Sequence, residues 1–408
     1  MRILLLTICL IGSLSLAAQT SVGLVAYYPF DSTFNDASGN TTNTGLPSGA
    51  MGFTCGVVGS SVAFAGGGDL INILGDVTDE FDTEDFTVSF YFKSTSDDGI
   101  QYLFSKRAQD CKNNNVFYIR YRPSTRNINV YFAETPEKSI NLVGQLSTNS
   151  CWYHVVVVRA AAKLRLYVNG QLLAEQGTVG RADIKNNGKI LLGGSYCYGP
   201  SETPFRGRLD ELRIYNRALR DAEARQLYEL KPDDITTRDT IVFLGAPVPI
   251  RLSSTCANGF SWSPREGVFL PDVGKTSIVP PTSGVFVYTL AFSDPISSCK
   301  ASDSIRITVV DPRTLTCDQV LLPNTFTPNN DGINDVFGIS NPYAIGELYL
   351  FEIFDRWGGR MFVTTSPFAQ WDGNFQGQAV NPGVYWYKII HVCDGDRRLV
   401  TGSILVMK

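Results

Sequence analysis

The chain has 408 residues, of which 18% are charged and 12% aromatic, with a formal net charge of −4, 37 glycines, 4 methionines and 2 histidines. Nucleic-acid binding calls for a basic patch or stripe, and nothing in this balance favours one. At roughly 100–200 residues per domain the length allows two to four cores, and the glycine- and aromatic-rich, methionine-poor balance suits short strands joined by tight turns.

The chain opens on Arg2, the apolar run Ile3–Leu16 and a small-residue cleavage site, Ala17-Ala18-Gln19, which together predict a signal peptide over 1–18. The run is too short and wrongly flanked for a membrane anchor. No second stretch approaches spanning length, so no transmembrane segment is expected in the mature chain. Cys9 sits deep in the run behind Ile8, which argues against lipoprotein-type processing.

Residues 21–230 carry repeated strand-like segments, among them Val25–Phe30, Phe86–Phe92, Val116–Arg120, Ile128–Phe132, Trp152–Val158 and Leu209–Tyr215. Asn169-Gly170 between LRLYV and QLLAE marks a hairpin. Asp221 is placed to cap one short helix, AEARQLYEL, docked by Ala222, Leu227 and Leu230. Many short strands over this length predict a two-sheet sandwich.

KPDDITTRD then opens a second unit, 231–312, about the size of one Ig-type domain, in which Cys256, Trp262 and Cys299 fall in the order Cys…Trp…Cys. The order predicts a tryptophan packed on an inter-sheet disulfide. In the third unit, 313–408, LYLFEIFD and RMFVTTS flank Arg356-Trp357-Gly358-Gly359 as a hairpin. Alternation in VYWYKIIHV puts Val384, Trp386 and Lys388 on one face and Tyr385, Tyr387 and Ile389 on the other. The predicted fold class is all-β throughout.

Removing Cys9 leaves eight of the nine cysteines, an even number suited to an oxidising compartment. They divide by region into Cys55, Cys111, Cys151 and Cys197, whose pairing stays open; Cys256 and Cys299; and Cys317 and Cys393, a staple for the two ends of the third unit. Zinc is disfavoured by the lack of CxxC spacing and the two histidines.

Three resemblances follow from particular motifs. AYYPFDSTFNDASGN, FTVSFYFK, CWYHVVVVR, LYVNGQLL and FRGRLDELRIYNRAL resemble a laminin G-like, concanavalin A-like jelly roll, which implies binding of carbohydrate or protein, frequently with calcium at the rim. PPTSGVFVYTL…C…SDSIRITV is similar to the PKD or Ig-like spacer modules of secreted bacterial proteins. LPNTFTPNNDGINDVF, IFDRWGGRMF, WDGNFQG and NPGVYWY resemble the gliding motility-associated C-terminal domain, a type B sorting module of the type IX secretion system. That resemblance implies the secretion machinery as a partner, and a protein secreted and displayed on the outer surface of a bacterial cell.

Calcium takes six to eight oxygen ligands, so oxygen-rich loops are its candidate sites. Asp31, Asn35, Asp36 and Asn40 crowd one loop, and Asp210 could approach it from the last strand. Asn329, Asp331, Asn334 and Asp335 form a second oxygen-rich loop, which an Asx-turn also explains. Tyr196 and Tyr198 are candidates to stack on sugar rings. The case for an enzyme rests on Glu80, Asp82 and Glu84, an E-x-D-x-E run of the kind some jelly-roll glycoside hydrolases place on a strand. Its flanks lack the alternation of a buried strand, and no nucleophile–histidine pairing accompanies it. The leading expectation is therefore a non-enzymatic secreted binder or adhesin. A glycan-degrading hydrolase and a self-associating surface or matrix protein are the alternatives.

Overall fold

A computed structural model describes residues 21–228, 230–294, 299–314, 316–329 and 333–407; the predicted signal peptide lies outside them, as does Asp331. The chain is nearly all β, with a concanavalin A-like jelly roll and a small C-terminal β-sandwich. Two compact units form, the first from residues up to 238 with 249–277 and 288–305, the second from 239–248, 278–287 and 306–408. The 231–312 segment thus contributes to both.

In the first unit the jelly-roll strands are β1 (Leu24–Tyr28), β2 (Thr44–Ser48), β3 (Gly52–Cys55), β4 (Ser60–Ala65), β5 (Leu70–Leu74), β6 (Phe86–Ser94), β7 (Ile100–Lys106) and β8 (Val116–Arg122). There follow β9 (Asn127–Ala133), β10 (Ser139–Gln145), β11 (Tyr153–Ala160), β12 (Lys163–Val168), β13 (Gln171–Gly177), β14 (Ile190–Leu192), β15 (Glu202–Pro204) and β16 (Arg206–Tyr215). One sheet runs β13-β12-β11-β6-β16-β4-β3, with β1 also on β16. The other runs β10-β9-β8-β7-β14-β5-β2, with the short β15 parallel to β7. Phe86, Val88, Phe90 and Phe92 of β6 meet Phe104, Phe117, Ile119 and Phe132 in the core between the sheets.

Strand β6 is buried on both faces, which its alternation with Thr87, Ser89, Tyr91 and Lys93 would not suggest. Those four polar side chains are covered and paired. Thr87 Oγ donates to Arg217 O, Ser89 Oγ meets His154 Nε2 at 2.8 Å, and Tyr91 OH donates to Leu230 O. Lys93 Nζ lies 2.9 Å from Asp294, which Arg208 also approaches at 3.4 Å. A buried ion cluster of this kind tolerates loss of a partner badly, because the remaining charges stay desolvated.

Asn169 and Gly170 take φ of 48° and 72° and close the β12–β13 hairpin, as their left-handed preference requires. The helix spans Asp221–Gln226 and is shorter than its sequence suggested. Asp221 is its first residue and binds Tyr167 OH instead of capping, while Glu223 accepts the Arg220 N–H at 2.8 Å. Ala224 and Leu227 dock; Ala222 and Leu230 are exposed.

The disulfides correct the Ig reading. Cys256 pairs with Cys55, and Cys299 pairs with Cys151, so both tie the second segment to the jelly roll within the first unit. Trp262 is buried without a disulfide between Cys256 and Cys299, its Nε1 donating to Val273 O. A Cys…Trp…Cys order fixes only that each cysteine has a partner somewhere. Cys111 pairs with Cys197 and Cys317 with Cys393.

In the second unit a five-stranded sheet orders Thr325–Phe326, Asp396–Val406, Gly383–Cys393, Glu347–Phe354 and Arg360–Thr364. Its inner face carries Phe351, Ile353, Tyr385, Ile389 and Ile404 against Phe326, Phe337 and Trp371. The Arg356–Gly359 turn is pinned by Asp355, whose carboxylate accepts the N–H groups of Trp357 and Gly359. In the Asn329–Asp335 loop, Asp335 accepts the Asn329 N–H at 3.0 Å, and Asn334 has φ of 53°. This is turn chemistry among the described residues of that loop.

Candidate functional site

The outer face of the β10–β2 sheet gathers side chains that pattern reading alone did not single out. Residues directly opposite in an antiparallel pair share a face. Strand β8 sets Tyr118 opposite Ser105 of β7 and Tyr131 of β9, and Arg120 opposite Tyr102 and Asn129; Asn141 of β10 then lies opposite Tyr131. Their alternates, Phe117, Ile119, Val130 and Phe132, fill the core, so these residues face outward. An irregularity between Tyr102 and Phe104 lets β7 send both Leu103 and Phe104 inward while Tyr102 and Ser105 stay outside.

Tyr118 and Tyr131 stack with centroids 5.1 Å apart, and the Arg120 guanidinium lies 4.5 Å over the Tyr118 ring. Arg120 also forms an ion pair with Glu202 and donates to Asn129 Oδ1 at 2.7 Å. Glu202 Oε2 accepts Tyr102 OH at 2.9 Å and Gly199 N–H at 2.8 Å. Burial, and then the Glu202 carboxylate, push the Tyr102 phenol well above its ordinary range, so it stays a donor. Asn129 passes the network on to Asn141 and Leu142 O.

A roof covers one end of this face. The Cys111–Cys197 disulfide joins the loop after β7 to the loop before β15. Tyr198 from the second loop sets its ring edge-on to Tyr102, 5.6 Å between centroids, and its OH accepts the Ser195 N–H. Tyr198 remains 42% exposed at the rim, whereas Tyr196 is half-buried. Tyr131 and Asn129 are half-buried and Asn141 is exposed, so the platform is open on the β9–β10 side. The available signal was polar and aromatic alternates, YIRYR and NINVYFA, in strands whose other face is wholly apolar.

The residues predicted for calcium each hold hydrogen bonds within the fold. Asp36 Oδ1 accepts the N–H groups of Tyr27 and Ser38, and its Oδ2 accepts Asn43 Nδ2. Asn40 Oδ1 accepts Thr42, Asp31 Oδ1 accepts Ser60 N–H, and the Asn35 N–H donates to Thr33. Asp210 is fully buried and accepts Val57 and Val58 N–H; burial raises its pKa to about 8. These carboxylates brace turns and, among the described residues, do not gather into one acidic cluster. The cluster that does gather, Cys317, Cys393 and Asp394, has its two sulfurs spent on a disulfide.

Glu80, Asp82 and Glu84 do not form the strand that an E-x-D-x-E acid pair needs. Asp76–Glu80 is a 3-10 turn, Phe81 plugs into the core, and Asp82 turns back to accept the Glu84 N–H. The buried Arg159 holds the Asp82 and Ala182 carbonyls, which fixes this bend as scaffold. Burial takes His154 down to about 3, so it is a neutral ring at physiological pH.

Comparison with known proteins adds two family matches. Residues 65–225 match the concanavalin A-like lectin/glucanases superfamily, as a laminin G-like domain, and residues 320–406 match the CHU_C type IX secretion signal domain. An anhydrosialidase from Macrobdella decora is 29% identical over 153 residues, 34% of this chain, and the match spans a fifth of that relative's length. Among solved structures, domain 4 of a GH43 extracellular arabinanase from Geobacillus stearothermophilus is 22% identical with a TM-score of 0.41, over 50% of this chain and 98% of that one. The binding domain of Paraclostridial Mosquitocidal Protein 1 is 16% identical with a TM-score of 0.45, over 93% and 89%. No described helix is long and apolar enough to cross a membrane. The chain thus joins a laminin G-like, concanavalin A-like domain to a type IX secretion signal domain.

Proposed function

We propose that this is a secreted, surface-displayed binding protein whose jelly roll takes carbohydrate on the outer face of the β10–β2 sheet, without catalysing a reaction on it. The observation that carries the reading is the Tyr118–Tyr131–Arg120 platform with Asn129 and Asn141 at its open side. A half-buried aromatic ring offers an apolar surface to a sugar's C–H face, and the exposed Asn141 amide, held in place by Asn129, offers hydrogen bonds to hydroxyls. The superfamily match over 65–225 supports a lectin-like role for this domain. The secretion signal over 320–406 supports delivery outside the cell, where the eight paired cysteines would persist.

The test is a glycan array probed with the full mature protein and with Tyr131→Ala. The variant loses its stacking surface and is expected to bind about tenfold more weakly or worse, a loss of about 1.4 kcal/mol, with its melting temperature little changed. Unaltered binding by the variant would place the site elsewhere. Binding to no glycan would overturn the reading.

A further inference from the structure

We infer that Glu202 sets the charge specificity of this face and restricts it to neutral glycans; this deepens the reading that the platform binds carbohydrate. Arg120 is the cation of the platform. A guanidinium on a binding face would ordinarily recruit a carboxylate or sulfate through two parallel hydrogen bonds, and the Arg120 side chain keeps 18% of its surface exposed there. Here three of its five N–H donors are held within the fold, one of Nη1 on Glu202 and those of Nε and Nη2 on Asn129 Oδ1, and the Glu202 carboxylate neutralises its charge. Glu202 is fixed from behind by Tyr102 OH and Gly199 N–H, so it cannot swing away without breaking two further bonds.

An acidic sugar reaching Arg120 would therefore meet a guanidinium whose charge Glu202 already neutralises, with that carboxylate beside it, and like charges brought together disfavour the wrong partner. The other guanidinium near Tyr118, that of Arg107, is 4% exposed under the roof loop and donates to Lys112 O, out of a ligand's reach. Outward beside Tyr131 are its own ring, the exposed Asn141 amide and the Tyr198 rim, while the exposed Arg122 of the same face stands opposite Asn127, four residues along β8 from Tyr118. The groups beside Tyr131 are neutral partners for hydroxyls and C–H faces. The formal net charge of −4 gives the chain no long-range pull on anions.

The full mature protein would be tested on neutral oligosaccharides and on sialylated and sulfated versions of the same backbones. Wild type is expected to bind the neutral members, with the acidic versions at least about tenfold weaker. Glu202→Gln frees Arg120, and the acidic versions should gain about tenfold relative to neutral ones. In the Arg120→Gln, Glu202→Gln double variant that gain should vanish while neutral binding persists. A wild-type preference for the acidic versions, or no change of preference in a folded Glu202→Gln, overturns the inference while leaving glycan binding standing. Binding to neither class overturns the reading on which it rests. Should Glu202→Gln fail to fold, the wild-type comparison decides alone.

Discussion

Two sheet faces of this molecule look alike in sequence and end differently. On the β10–β2 sheet of the jelly roll, the outward Tyr102 and Tyr118 are 1% and 7% exposed, although neither faces the core between the sheets. On the five-stranded sheet of the second unit, the outward Val384, Trp386 and Leu399 are 50%, 54% and 62% exposed. Both strands alternate as a half-buried sheet should, with Phe117 and Ile119 inward in one and Tyr385 and Ile389 inward in the other. The difference lies in what the loops do. The jelly roll folds two loops over its face and ties them with Cys111–Cys197, whereas Trp386 meets solvent across a register of Phe354 and Ser403. Strand periodicity says which side chains leave the core; it does not say which of them are covered again.

The strongest way to break this contrast is to untie the roof. Replacing both Cys111 and Cys197 by serine is expected to cost about 3 kcal/mol, the usual size for a disulfide closing a long loop, and to expose Tyr102 and Tyr198. Urea denaturation with tyrosine fluorescence reads both effects. A cost near zero would mean that the loops hold themselves through Glu202 and Tyr198 alone.

The contrast also explains what could be read in advance. The jelly roll and sorting domain were legible because GRLDELRIYNRAL and NPGVYWY combine turn residues with strand alternation in an order few other folds share. The Asn169-Gly170 hairpin was legible for a local reason, since only such residues accept two positive φ angles in succession. The partners of Cys256 and Cys299 were not, because Cys55 and Cys151 lie 201 and 148 residues away and pairing at that distance is set by packing. The acidic residues of the first loop were ambiguous in sequence for a physical reason. Carboxylates that accept backbone N–H groups and carboxylates that hold a cation draw on the same residue types. Glu202 was invisible as a site residue because its meaning comes from Arg120, 82 positions away.

A middle-sized effect tests whether burial on this side of the molecule has an electrostatic cost. Asp210 is buried, which raises its pKa, while the N–H groups of Val58 and Val57 pull it down; the balance is about 8 against an ordinary 3.8. A raised carboxylate binds its proton more tightly folded than unfolded. Its stabilisation is fully present below about pH 4 and is lost as pH rises through 8. The wild-type melting temperature should therefore fall from pH 5 to pH 9 on this account. Asp210→Asn keeps an acceptor for Val57 and Val58 without a titrating proton, so its profile should be flatter over the same window. Parallel profiles would mean that other groups carry the pH dependence.

The smallest expected effect is the sharpest for the comparison. Trp386→Ala removes a large aromatic side chain from a strand centre, a change that costs about 3–5 kcal/mol in a core. On an uncovered face the expected cost is under about 1 kcal/mol, because the side chain is already half in water and its neighbours across the register are Phe354 and Ser403. Tyr118→Ala, equally outward but roofed, should cost several times more, since it leaves a cavity under the Arg120 guanidinium and against Tyr131. Thermal or urea denaturation of the two variants in the full chain measures the pair directly. Equal costs would mean that the face around Trp386 is covered in solution, and a concentration-dependent melting temperature that Trp386→Ala abolishes would identify a second copy of the chain as the cover.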